Sequence, residues 1–139
     1  MTDGEGIKEM LQQHLGKGGF HQALELELID ADQNSSTVTI KAPFQTLFER
    51  APGTRQWHGG PIAAIVDIAA DFAIFAKVGY GVPTANIRID FVRPAIDTDL
   101  MVQGKVVKVG RTLAVADVEV VDQREKLVAT GRGTYVTAR

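Results

Sequence analysis

One long apolar segment constrains the fold of this chain more than any other feature. The segment WHGGPIAAIVDIAADFAIFA spans residues 57–76, and after its opening residues only Asp67 and Asp71 interrupt its apolar character. A proline near the first turn, many alanines and no further breaker before Gly79 predict a helix from residue 61 to about residue 78. A helix that is apolar nearly all round must be enclosed by other structure, so we expect it at the centre of the fold.

The segments around this helix carry the alternation that is typical of β-strands. The runs ALELELIDA and TVTIKA alternate apolar and polar residues on either side of a polar turn, and they predict a hairpin. Residues 80–139 contain four more such runs, TANIRIDFV, LMVQGKVVKV, TLAVADVEVV and KLVATGRGTYVTA, which we interpret as a four-strand meander. The predicted class is α+β, with a curved antiparallel sheet of about six strands round one helix.

The beginning of the chain predicts a short helical arm. Apolar residues between positions 7 and 15 fall at helical spacing, and the glycine-rich stretch GKGG ends this helix. A length of 139 residues suits one core rather than two. We therefore expect a single domain over residues 1–139, with residues 1–22 as the arm.

Composition excludes several classes of function. Fifteen Lys and Arg against 17 Asp and Glu give a net charge of −2, which offers no strong attraction to nucleic acid or to an anionic membrane surface. The lack of cysteine excludes disulfides and cysteine nucleophiles, and the three histidines have no paired metal-ligand spacing. No secretory signal or membrane-length apolar run is visible. We expect a soluble cytoplasmic protein without a metal site and without nucleic-acid or membrane partners.

Asp67 is the first candidate for chemistry. An ionised carboxylate is costly to bury unless a partner or a task holds it, and an acid in an apolar cleft is a typical functional group. The competing interpretation is a solvated or structurally paired residue, and it requires the stripe formed by Asp67 and Asp71 to face water. We favour a functional role for Asp67 and interpret Asp71 as a rim or interface charge.

The sequence His58-Gly59-Gly60 lies where the apolar helix starts. Unpaired N–H groups and the positive end of the helix dipole favour an oxyanion at such a position. A glycine pair is equally typical of a flexible entry turn. Both interpretations stay open from these residues alone.

The order and spacing of four motifs resemble those of one known family. The motifs are HGGPIAAIVDIA (58–69), RPA (93–95), VGRTLA (109–114) and LVATGRGTY (127–135). The chain from about residue 24 to its end is similar to the hotdog-fold acyl-CoA thioesterases of the PaaI-like, phenylacetate-degradation type. The most specific element is HGG followed by an apolar helix with an acid nine residues after the histidine. The resemblance implies a sheet wrapped round a long helix and hydrolysis of acyl-CoA or aryl-CoA thioesters to free acid and CoA.

The resemblance also implies roles for individual residues. Asp67 would act as general base or nucleophile on the thioester carbonyl, the N–H of Gly59 would polarise the carbonyl oxygen, and His58 would lie in the same wall. Thr84, ten residues before Pro94, falls where relatives hold the water or the acid. No metal or other cofactor is implied. The implied substrate-binding or CoA-binding residues are Gly60, Arg93, Gly110 and Arg111.

Two points of the resemblance stay open. Arg93, Arg111 and Arg132 are interpreted either as solvated charges at strand ends or as partners of the CoA phosphates, which guanidinium groups bind well. Some relatives carry an asparagine or glutamine six residues before the histidine, to help bind the thioester or water, where this chain has Pro52. We consider Gln56 or Arg55 as a substitute for that side chain.

Helix geometry predicts how the site is assembled. Gly59 and Asp67 are eight residues apart, which is about 12 Å along one helix at 1.5 Å per residue. They therefore cannot both contact one carbonyl from the same chain. Two such helices packed antiparallel about a two-fold axis would bring the start of one to the middle of the other. We expect a homodimer with a site shared between subunits, in agreement with the dimer that the resemblance implies, and a dimer-of-dimers tetramer.

Two other functions fit parts of the pattern. A non-catalytic module that binds or senses acyl-CoA would keep the pocket but would not need Asp67. A hydratase acting on acyl thioesters would be expected to place an Asp and a His close together, whereas His58 lies nine residues from Asp67. Acyl chain length, aromatic preference and the identity of the carrier as CoA or a carrier protein stay open.

Overall fold

The structure is a computed structural model and describes residues 4–139. Two helices come first, a hairpin follows, and a long helix then leads into four further strands. The elements are α1 (Gly4–Leu15), α2 (Gly19–Leu24), β1 (Glu27–Asp32), β2 (Thr37–Ala42), a 3₁₀ turn (Thr46–Phe48), α3 (Gly59–Val78), β3 (Thr84–Phe91), β4 (Leu100–Val109), β5 (Leu113–Asp122) and β6 (Leu127–Val136).

All six strands join one antiparallel sheet in the order β1-β2-β4-β5-β6-β3. The predicted α+β class, the strand number and the hairpin formed by β1 and β2 are confirmed. The predicted four-strand meander is confirmed for β4, β5 and β6 and is wrong for β3, which pairs with β6 at the far edge instead of with β4. Residues 92–99 carry the chain from that edge to the middle of the sheet, whereas residues 110–112 and 123–126 form the short turns that do connect neighbouring strands.

The long helix α3 lies in the concave side of the sheet, as its apolar composition predicts. It contacts β2, β3, β4, β5 and β6, and much of its length is fully buried. Two glycines allow this close packing, because a Cβ on Gly104 would lie 2.3 Å from the carbonyl oxygen of Ala69 and a Cβ on Gly131 would lie 2.6 Å from Val66 Cγ1. These glycines interrupt the apolar runs of β4 and β6 so that the sheet can reach the helix.

The first turn of α3 differs from the prediction. The helix begins at Gly59, two residues before the predicted start at Pro61, so the glycine pair belongs to the helix instead of breaking it. His58 is extended and caps the helix, with Nδ1 accepting a hydrogen bond from the N–H of Gly60 at 2.9 Å. At the other end Gly79 adopts a left-handed conformation with φ of 86° and ends the helix as predicted.

The arm consists of two helices where the sequence predicts one helix and the start of a strand. Helix α1 ends at Leu15 as predicted and buries the side chains of Ile7, Leu11 and Leu15, while the predicted residues 1–3 lie outside the described part of the chain. Leu24 ends α2 instead of opening β1, because Glu25 adopts a left-handed conformation and turns the chain. Within residues 4–139 no helix is both long enough and apolar enough to cross a membrane.

Candidate active site

The carboxylate of Asp67, in the middle of α3, is held by hydroxyl groups from two strands. Thr84 Oγ1 donates a hydrogen bond to Asp67 Oδ1 at 2.9 Å. The phenolic oxygen of Tyr135 lies 2.8 Å from the same Oδ1 and 2.9 Å from the backbone carbonyl oxygen of Asp67. Within the described chain no donor contacts Oδ2, so this oxygen is free to accept a proton from water. The arrangement fixes one carboxylate oxygen and leaves the other for chemistry.

The two hydroxyl groups meet because of the register between the edge strands. Thr84 opens β3 and is the direct partner of Tyr135 in β6. The aromatic ring fits there because Gly133 has no side chain, since a Cβ at that position would lie 2.4 Å from Tyr135 Cε2. The GTY sequence near the end of the chain therefore supplies both the space and the donor.

Tyr135 is a functional candidate that sequence reasoning missed. Its side chain is fully buried. Burial raises the pKa of the Tyr135 phenol above its ordinary value, and the hydrogen bond to Asp67 raises it further. The phenol therefore keeps its proton and remains a donor across the physiological pH range. The available signal was its inward position in the alternation of β6, two residues after Gly133.

Asp71 lies one turn after Asp67 on α3 and has very different surroundings. Its Oδ1 atom is buried without a hydrogen-bond partner among residues 4–139, and the N–H of Val82 donates to its carboxyl group. Burial, with a further contribution from the charge on Asp67, raises the pKa of Asp71 to about 7, and the bond from Val82 opposes this shift. The Asp71 side chain is half-buried in the single chain, with Oδ1 covered, and its interpretation as a rim or interface charge stays a prediction.

A second part of the site lies at the start of α3. The N–H of Gly60 is occupied by the imidazole of His58, so His58 acts as a helix cap in this chain. The N–H of Gly59 is at the first helical position, where no intrahelical acceptor exists. It borders a cavity of about 340 Å³. The cavity lining includes Arg50, Gln56, Trp57, Gly59, Phe91 and Arg93.

The structure does not bring the two parts together within one chain. Gly59 and Asp67 occupy the same straight element, eight residues and about 12 Å apart. The residues that hold Asp67, Thr84 and Tyr135, do not line the cavity at Gly59. A single chain therefore offers a fixed carboxylate at one place and an unpaired helix N–H at another.

The remaining predicted residues fall into three places. Arg93 lines the cavity at Gly59, as does Gln56, whereas Arg55 is occupied by Asp97 and by the ring of Phe44. Gly110 and Arg111 lie in the turn between β4 and β5, where the N–H of Gly110 donates to the carbonyl oxygen of Leu113. Arg132 forms an ion pair with Asp117. Residues 4–139 contain no cluster of three His, Asp or Glu side chains that could hold a metal ion.

A six-stranded antiparallel sheet that encloses a central helix defines the hotdog fold. Residues 56–129 match the family model of the thioesterase superfamily. The chain belongs to the thioesterase superfamily, and the predicted PaaI-like membership is confirmed. Thioester hydrolysis is the general activity that this membership supports.

Individual relatives agree with this assignment. The acyl-coenzyme A thioesterase PaaI of Escherichia coli is 31% identical over 113 residues, which cover 81% of this chain and 77% of that protein. The crystal structure of zebrafish thioesterase superfamily member 2 has a TM-score of 0.84 and 25% identity, covering 99% of this chain and 100% of that one. An X-ray structure of another thioesterase superfamily protein has a TM-score of 0.87 and 30% identity, covering 94% and 97% of the two chains.

Proposed function

We propose that this protein hydrolyses acyl-CoA or aryl-CoA thioesters to the free acid and CoA, with Asp67 as general base. The observation that carries the proposal is the Asp67 carboxylate, whose Oδ1 receives bonds from Thr84 and Tyr135 while Oδ2 has no donor within residues 4–139. Hydrogen bonds to one oxygen fix the direction of the carboxylate, which is what a base that activates water requires. The similarity to E. coli PaaI supports CoA as the carrier.

The reaction follows from these positions. Asp67 Oδ2 takes a proton from water while the water oxygen attacks the thioester carbonyl carbon, and the carbonyl oxygen becomes an oxyanion. The unpaired N–H of Gly59, at the positive end of the α3 dipole, donates to that oxyanion. The intermediate then collapses, the C–S bond breaks, and the departing thiolate takes the proton from Asp67. The carboxylate is regenerated, and no metal or other cofactor is required.

We further propose that each site takes its acid from one subunit and its oxyanion donor from the other. The separation of Gly59 and Asp67 along one helix supports this arrangement, because one thioester carbonyl cannot reach both groups in a single chain. A two-fold axis that pairs two α3 helices antiparallel would create two such composite sites in a homodimer. A second such pairing would give a dimer of dimers.

The test is thiol release, detected with DTNB, from a panel of acyl-CoA and aryl-CoA esters. We expect Asp67→Asn to lower turnover by at least about a hundredfold, because a general base typically contributes on the order of 10²–10⁴ in rate. Asp30→Asn is the matched control, since Asp30 is exposed on β1 at the opposite edge of the sheet. A folded Asp67→Asn protein with wild-type turnover would leave a binding module as the better description.

The same preparation separates the two possible roles of the acid. In a single turnover in ¹⁸O-labelled water, a general base places the label in the product acid. A nucleophilic Asp67 would form a mixed anhydride, and attack of water on its aspartyl carbonyl carbon would place the label in Asp67 itself. We expect the label in the product and an unlabelled Asp67 peptide by mass spectrometry.

A further inference from the structure

Asp71 is a half-buried acid with one covered carboxyl oxygen, and the proposed reaction does not use it. It follows Asp67 by four residues on α3, so the two Cβ atoms are about 5–6 Å apart on one helix face. Its Oδ1 has no hydrogen-bond partner within residues 4–139 and is sealed from solvent. A buried polar atom without a partner lowers the stability of the fold. Its position beside the candidate base therefore indicates a functional role.

We propose that Asp71 is a positioning residue for the thioesterase reaction, in which its charge, one helical turn from Asp67, makes proton uptake by Asp67 easier. This inference rests on the proposed function. The groups that act on Asp71 are the Asp67 carboxylate from α3, the Tyr135 phenol from β6 and the Val82 N–H from the segment before β3. Among residues 4–139 none of the groups that act on Asp71 is a cation.

The physical argument follows the movement of charge during the reaction. In the ground state the negative charge is on Asp67, and after proton transfer from water it is on the oxyanion at a helix start. If Asp71 is ionised, the two carboxylates of α3 repel each other in the ground state, and the transfer relieves that repulsion. If Asp71 is neutral, the relief is absent.

The rate should therefore depend on pH through the charge on Asp71, which is not the base itself. Because burial and the charge on Asp67 raise the pKa of Asp71 to about 7, its charge appears across neutral pH. We expect kcat/KM to rise about three- to tenfold as pH increases through this range. The rise is limited because the rate of a base-catalysed step reflects only part of a change in the proton affinity of the base. Asp71→Asn is expected to lack this rise and to stay near the low-pH value of the wild type.

The experiment measures kcat/KM of wild type, Asp71→Asn and Asp30→Asn from pH 5.5 to pH 8.5. An S-acyl pantetheine ester replaces acyl-CoA, because it has no phosphate groups that titrate in this range, and loss of thioester absorbance replaces DTNB. Asp30→Asn should reproduce the wild-type profile. Identical profiles for wild type and Asp71→Asn would overturn the proposal.

A second measurement does not depend on activity. In wild-type protein labelled with ¹³C at aspartate carboxyl carbons, the resonance that Asp71→Asn removes should titrate with a midpoint near 7, and the Asp67 resonance should shift in the same pH range. A midpoint near the ordinary aspartate value would overturn the inference even in an active enzyme. A titration near 7 in a protein without thioesterase activity would instead refute the proposed function and leave the coupled pair in place.

Discussion

Replacing Asp71 by asparagine should make the protein more stable at alkaline pH. The pKa of this carboxyl group is about 7 in the folded chain and 3.8 in the absence of its surroundings. Between these two values the folded state holds a proton that the unfolded state has released. The free energy of unfolding therefore falls as pH rises through this window, and above pH 7 the loss is complete.

The size of the loss follows from the difference between the two pKa values. A difference of about three units, at 1.36 kcal/mol per unit, corresponds to about 4 kcal/mol. Asparagine has nearly the same shape and keeps an acceptor oxygen for the N–H of Val82, but it does not ionise. The difference in stability between Asp71→Asn and wild type should therefore grow by about 4 kcal/mol from pH 4 to pH 8.

The assay is urea unfolding of both proteins at pH steps from 4 to 8.5, at one fixed protein concentration because assembly affects apparent stability. Other groups titrate in both proteins and largely cancel in the comparison. The exposed acid Asp30, paired with Lys8, supplies the control, and the curve of Asp30→Asn should run parallel to that of wild type. A constant gap between Asp71→Asn and wild type across all pH values would refute the reasoning.

Two further predictions concern the geometry of the site. Tyr135→Phe removes one of the two donors to Asp67 Oδ1 while keeping the buried ring. We expect kcat, measured by thiol release, to fall about tenfold with little change in KM. An unchanged kcat would show that Thr84 suffices to hold the carboxylate. Asp67→Asn and Gly59→Pro should complement each other when the two variants are mixed. Random pairing makes about half the dimers mixed, and each mixed dimer has one intact site of two. The mixture should therefore show about a quarter of wild-type activity. Native mass spectrometry, which resolves the mixed dimer from the two homodimers, must first show that mixed dimers form, and their inactivity would then contradict the shared site.

The central helix could be predicted from sequence because its signals are local. Alanine content, the breaker at Gly79 and the nearly uniform apolar character identify α3 without knowledge of its neighbours. Its start lies two residues before the predicted one, because glycine usually disfavours a helix. At the first helical positions the N–H groups have no intrahelical acceptor in any case, and the His58 side chain provides the cap, so glycine is tolerated there.

The order of strands could not be predicted in the same way. Alternation of apolar and polar residues identifies each strand and its inward face, but it does not indicate which other strand pairs with it. The run from residue 84 to residue 91 reads as the first strand of a meander, yet it pairs with the last strand of the chain. The only local signal was the length of the connection over residues 92–99, which is greater than that of the two tight turns that follow.

The hydroxyl network at Asp67 depends on this non-local pairing. Thr84 was predicted from a resemblance, and Tyr135 was missed, although the two residues are direct partners across β3 and β6. Without the strand order, nothing in the sequence places a phenol near an acid that is 68 residues earlier. The donor becomes visible only when the edge strand and the last strand are joined.

One helix face thus presents two carboxyl groups with opposite surroundings. At Asp67 two hydroxyl groups donate to the same oxygen and fix its direction. At Asp71 the Val82 N–H is the one described donor, the other oxygen is sealed without a partner, and burial favours the neutral form. The difference arises because Thr84 and Tyr135 lie level with the first acid and not with the second. A spacing of four residues on a buried helix is therefore enough to give one acid that is held by two hydroxyl donors and one whose charge appears near neutrality.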